Sequence, residues 1–164
     1  MLAALSIILG KYLAINIGDT VRLSLESLPI IFAGIFLGPV PAVLVAFTAD
    51  IVGCIMVGYT INPIITLGAM LIGFLSGVTY RILAKRTLRE PIVIAASVGV
   101  AHLCGSVIVK SIGLSLFYTT PLVTLMALRL LNYVPVALAE ALVIFVLSRH
   151  PGLRREIAKF LEAK

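Results

Sequence analysis

Three charged side chains lie inside long apolar runs: Asp50 in PVPAVLVAFTADIVGCIMV, Lys110 just before SIGLSLF, and Arg129 in LVTLMALRLLNYV. A charge at the centre of a spanning helix costs roughly 2.5–3.5 kcal/mol when it faces lipid, so the three together would cost on the order of 8–10 kcal/mol. They are therefore expected to face protein or a cavity. Their depths agree. Asp50 is seven residues from a helix end near Val57, Lys110 seven from Phe117, and Arg129 eight from Pro121. At 1.5 Å per residue, all three fall roughly 10–12 Å below one membrane surface. Lys110 shares its helix face with Ser106 and Gly113, Asp50 with Ala46, Gly53 and Cys54, and Arg129 with Asn132 and Tyr133. Small neighbours make room for a cavity and polar ones line it. Two cations against one carboxylate leave a positive surplus, and Arg22 in the adjoining loop adds to it. This pattern suits a pocket for an anionic organic solute, open to the outside. The competing arrangement is a structural network in which Asp50 neutralises Lys110 or Arg129.

The elements that must hold these groups read as membrane helices. The chain has 164 residues, 61% hydrophobic and 12% charged, with mean hydropathy +1.18. A soluble domain carries about 25% charged residues. The reading is an all-α integral membrane protein with six transmembrane helices in one bundle, over about 1–16, 28–38, 40–57, 63–84, 91–117 and 121–148. Gly38-Pro39-Val40-Pro41 separates the second and third, because proline fixes φ and lacks an N–H. Asn62-Pro63 and Glu90-Pro91 mark later starts. Residues 1–148 form one membrane domain. The charged tail 149–164 has Leu153, Ile157 and Leu161 at helical spacing and suits a short amphipathic surface helix. Residues 17–27 read as a polar loop.

Nine of the 13 Lys and Arg lie in the 81–89 segment and the tail, which fall on the same side when six spans are counted. The positive-inside rule then places both termini in the cytoplasm and the loops at 17–27, 58–62 and 118–121 outside. The net charge of +6 is thus a topology signal, with contact to anionic lipid, and no aromatic interleaving points to nucleic acid. Small residues recur every four positions at Ser6, Gly10 and Ala14. That stripe suits either packing within the bundle or a docking face for another membrane protein. Lys11, off the stripe, is expected to snorkel outward.

Other chemistry is thin. Cys54 and Cys104 sit in apolar runs and read as buried small hydrophobes, and His102 reads as packing rather than a ligand. Glu140 lies roughly 28 Å along the last helix, too deep for the same pocket, and a contact to a basic residue such as Arg81 is expected. No GxxxxGK[ST], HExxH or GxSxG motif occurs, so neither an enzyme nor an ATPase is expected. No metal and no cofactor is expected.

The segment RLSLESLPIIFAGIFLGPVPAVLVAFTADIVG resembles the substrate-binding (S) components of energy-coupling factor (ECF) vitamin transporters, most of all the folate-specific branch. The matching positions are Arg22, Leu23 and Ser24; Leu28, Pro29 and Ile30; Ala33 and Gly34; Gly38 and Pro39; and Ala49 and Asp50. LSLFYTTPLVTLMALRLLNYVPV is similar to a second segment of that branch through Leu114, Ser115, Leu116, Tyr118, Pro121 and Arg129. Departures occur at Gly38-Pro39-Val40-Pro41-Ala42, which lacks the usual second glycine, and at Thr119-Thr120, where a glycine is expected. The resemblance implies a six-helix fold in a prokaryotic plasma membrane and an outward-facing vitamin pocket. It implies a shared transmembrane coupling subunit docking on Ser6, Gly10 and Ala14, and two cytoplasmic ATPases. It implies that Arg22, Lys110 and Arg129 receive the carboxylates of folate, with Asp50 either on pterin N–H groups or holding a cation in place. Tyr59 and Tyr118 are then expected on the rings and Asn62 in the lid. Riboflavin, pantothenate or a queuosine precursor are alternative ligands. A membrane assembly or sensor protein is an alternative of another class.

Overall fold

Prolines and glycines cut the chain where the sequence suggests. The structure, a computed structural model, describes residues 1–17, 21–86, 88–118 and 121–152. Helix α1 is α-helical over Leu2–Ile7 and continues as π-helix over Ile8–Tyr12. Two short strands follow, β1 (Ile15–Ile17) and β2 (Val21–Leu23), antiparallel with Asn16 opposite Arg22. The expected polar loop therefore begins with a small ribbon, and the described chain is not purely helical. The β-branched Ile15, Ile17 and Val21 suit that extended pairing.

Helix α2 (Leu28–Phe36) carries Pro29 in its first turn. Gly38, at φ 109°, turns the chain into α3 (Pro39–Val57), and Gly58, at φ 74°, ends it in the left-handed conformation. Both are backbone states that side chains other than glycine rarely adopt. Helix α4 (Pro63–Leu83) is capped by Asn62, whose Oδ1 accepts from the N–H of Ile64 at 3.0 Å and of Ile65 at 3.4 Å. Helix α5 spans 90–118, with α-helix at Glu90–Ala101, π-helix at His102–Val109 and α-helix again at Lys110–Tyr118. Helix α6 (Leu122–Arg149) contains Pro135.

The described helices thus form six continuous rods, but only four are long and apolar enough to cross a membrane: α3, α4, α5 and α6. Helix α2 has nine residues, about 14 Å of rise against roughly 30 Å of hydrocarbon. The amphipathic helix expected at 149–164 falls mostly on 153–164, outside the described residues.

Helix α4 is the centre, packed on α2, α3 and α5. Close approach depends on small residues, since lipid offers no hydrophobic drive for helix pairing. A Cβ on Gly77 would lie 2.7 Å from the Gly34 carbonyl oxygen, and one on Gly73 2.9 Å from the Ala42 carbonyl carbon. Ile31, Ile72, Ile94, Val98 and Ile144 fill the interior around Ala46, Ala69 and Ala101. Leu44, Phe47, Leu67, Phe74, Leu131 and Leu142 point outward. That is an apolar exterior suited to lipid.

Candidate functional site

Five helices end around one cavity. It takes the C-terminal ends of α1, α3 and α5 and the N-terminal ends of α4 and α6, and has a volume of about 450 Å³. This lies within the roughly 300–1,000 Å³ of ligand pockets. Asp50, Lys110 and Arg129 all line it, as their common depth predicts. Lys11 and Glu26 line it too, giving three cations and two carboxylates. Tyr59, Thr60, Asn62, Tyr133, Cys54, Ile65 and Leu114 complete most of the wall. The basic residues Arg81, in the last turn of α4, and Lys85, Arg86 and Arg89, just past it, gather at the opposite end of that helix.

Asp50 is buried, with 4% exposure, and its Oδ2 accepts from the Thr66 hydroxyl at 2.6 Å. A single neutral donor leaves most of the carboxylate's acceptor capacity unused. Lys110 is 8% exposed, and it forms no ion pair with Asp50 among the described residues. The expected neutralisation of Asp50 by Lys110 or Arg129 is therefore not what the structure shows. Arg129 instead donates from Nη1 to the Ser106 carbonyl at 2.9 Å, with its guanidinium 5.9 Å from the Tyr133 ring centroid.

Glycines admit these long side chains. A Cβ on Gly68 would stand 2.7 Å from Lys110 Cγ, and a Cβ on Gly53 would stand 3.0 Å from Lys11 Cε. Lys11 Nζ lies 5.6 Å from the centroid of the half-exposed Tyr59 ring. Lys11 thus turns inward, not outward to the membrane surface as expected. Helix α1 here closes with a π-helical turn, and Gly53 leaves space for the stem.

Residues 1–148 match the family described as "ECF transporter, substrate-specific component". The chain belongs to that family. Solved structures similar to it include two at 22% identity. "Crystal structure of FolT bound with folic acid" matches at 22% identity and TM-score 0.70, over 89% of this chain and 87% of its own. "Structure and mechanism of the S component of a bacterial ECF transporter" matches at 22% identity and TM-score 0.55, over 98% and 93%. At such identity the likeness establishes the fold. No curated protein sequence matches the chain. The family is a transport component of the membrane, not an enzyme.

Several expectations change in this S component. Ser6 is fully buried and its hydroxyl donates to the Glu26 carbonyl at 2.7 Å. Gly10 is buried, and a Cβ there would fall 2.7 Å from Glu26 Cγ. These two stripe positions pack against the chain's own 24–27 segment and present no face to a partner; Ala14 is half-buried. Asn62 is 5% exposed and its amide donates to the Gly113 carbonyl at 3.1 Å. With its oxygen on the α4 cap, Asn62 holds the cavity wall rather than a lid. Glu140 does not meet Arg81. Its Oε2 lies 2.6 Å from His102 Nε2, so His102 is also more than packing. Arg22 lies on β2 and Tyr118 ends α5, but their side chains are outside the described residues. Sequence reasoning missed Glu26 and Lys11 as cavity residues. Glycines at Gly10 and Gly53 are the only local signal, and they became informative once the helices were paired.

Proposed function

We propose that this S component is a vitamin-binding subunit whose ligand is folate or a reduced folate. The observation that carries the reading is the cavity itself: three cations from three helices, Lys110 buried and Lys11 and Arg129 half-buried, line it against two carboxylates. Folate offers two carboxylates and a flat pterin with N–H donors. Lys11, Lys110 and Arg129 pair with the carboxylates, joined by Arg22 from β2. Asp50 accepts from the pterin, and Tyr59, Tyr133 and Tyr118 supply aromatic surface. The folic acid bound by the similar FolT structure and the folate-like motifs around Arg22, Pro29 and Tyr118 support the same ligand.

The wider assembly is part of the proposal. Helices α3 to α6 cross a prokaryotic plasma membrane and the shorter α1 and α2 are embedded beside them, with both termini and the 81–89 segment cytoplasmic and the cavity facing out. Residues 1–148 are the membrane domain and 149–164 a cytoplasmic tail. Uptake uses a transmembrane coupling subunit and two ATPases, and the coupling subunit contacts a face other than Ser6 and Gly10.

Isothermal titration of the detergent-solubilised protein tests the ligand, together with mass spectrometry of whatever co-purifies. Folate should give saturable heat and a thermal shift. A shift with riboflavin, pantothenate or a queuosine precursor, and none with folates, reassigns the vitamin. A shift with none of them turns the reading to an assembly or sensor protein.

A further inference from the structure

Farther along α5 and α6 from the cavity lies a buried polar unit, His102 and Glu140, that does not line it. His102 and Glu140 are 3% and 0% exposed, with His102 Nε2 2.6 Å from Glu140 Oε2. Glu140 Oε1 has no hydrogen-bond partner among the described residues. A half-satisfied carboxylate in a membrane bundle is costly, and such groups call for a functional reason.

The unit runs on toward the cavity by two routes. With Glu140 ionised, the carboxylate only accepts and His102 Nε2–H is the donor. The other ring nitrogen, Nδ1, lies 3.0 Å from Ser106 Oγ. A neutral ring accepts the hydroxyl proton there, and a doubly protonated ring donates to the oxygen. The carbonyl of the same Ser106 accepts from Arg129 Nη1 at 2.9 Å. Along the second route the His102 ring packs on Tyr133 with centroids 5.0 Å apart, and Tyr133 in turn lies under the Arg129 guanidinium. His102 and Ser106 both belong to the π-helical stretch of α5, a rare geometry that recurs at functional sites. Arg129, Tyr133 and Glu140 lie on α6, so the unit also ties the two helices together.

We propose that His102 and Glu140 are positioning residues for the anion-binding end of the cavity. They fix Ser106 and the Tyr133 ring, and these two fix the Arg129 guanidinium where a ligand carboxylate meets it. This assignment rests on the folate reading for its ligand, but not for its geometry.

The test uses the full-length protein in detergent, with folate as the probe. Glu140→Gln should weaken folate binding at least tenfold in the folded fraction, and His102→Ala similarly, with His102→Gln restoring part of the loss. In an Arg129→Lys background, Glu140→Gln should cost less than threefold, because its effect travels through Arg129. Equal losses in both backgrounds, or a loss confined to thermal stability with affinity unchanged, overturn the proposal. A second readout needs no ligand. The Arg129 Nε–H resonance, assigned by its disappearance in Arg129→Lys, should shift in Glu140→Gln. An unmoved resonance overturns the positioning role. Failure of wild type to bind folate, with the resonance still shifting, overturns the folate reading alone.

Discussion

Arg129 donates from Nη1 to the Ser106 carbonyl and its guanidinium lies over the Tyr133 ring, with no carboxylate among its described contacts. Such a cation is preorganised for an incoming anion. Arg129→Ala is expected to weaken folate binding by about 2–3 kcal/mol while the apo protein keeps its thermal midpoint. Titration and thermal unfolding of the same sample check this; a lowered midpoint with unchanged affinity would make the arginine structural. Gly53 gives a complementary case. A Cβ there meets the far end of the Lys11 stem at 3.0 Å and Ile7 only at 3.6 Å. Gly53→Ala should therefore push Lys11 aside and lower folate affinity several-fold. The helix itself should gain up to about 1 kcal/mol from the better helix former. Lower affinity with an equal or higher melting midpoint is the expected signature. The charges at Asp50, Lys110 and Arg129 were legible in sequence because they stand alone in apolar runs. Lys11 and Glu26 were not, because each lies near a helix end, where a charge is ordinary.

At the scale of elements, α4 carries the fold through glycines rather than through large apolar side chains. Gly34 and Gly77 bring the α2 and α4 backbones into contact, and neither can accept a side chain without moving a helix. Gly77→Leu is expected to cost about 3 kcal/mol, the upper part of the usual overpacking range, and to abolish a monodisperse peak in size-exclusion chromatography. Gly99, with nothing within 4 Å of an added Cβ, is the control: Gly99→Ala should elute and melt like wild type or slightly higher. Asn62→Ala removes the α4 cap and its link to Gly113 and should cost about 1 kcal/mol or more in thermal unfolding. The small-residue stripes at Ala69, Gly73 and Gly77 and at Ser97, Ala101 and Gly105 were readable from their spacing. Which stripe faced inward was not. Ser6 and Gly10 have the same spacing as a docking face, and only the position of Glu26 shows that they are used internally.

For the molecule as a whole, charge separates the two ends. Arg81, Lys85, Arg86 and Arg89 gather at one end of α4, while the cavity opens among helix ends at the other. With Cys54 and Cys104 replaced by alanine, Tyr59→Cys should react with a membrane-impermeant maleimide on intact cells. Lys85→Cys should react only after permeabilisation. The reverse pattern would invert the topology and close the cavity to external solute.

The sequence alone determined the class of molecule, the breaks between its helices and the depth of three charges. Each of these follows from one chain in one solvent: apolar length, proline and glycine chemistry, and a rise of 1.5 Å per residue. Tertiary structure decided which faces meet. It turned Lys11 inward and paired Glu140 with His102 instead of Arg81. It gave Asn62 to a helix cap and to Gly113, and it left α1 and α2 shorter than a span. Those outcomes depend on the rotation and offset of one helix against another. In a bilayer these are set by where small residues let backbones touch, and that pairing is not written in the spacing of any single helix.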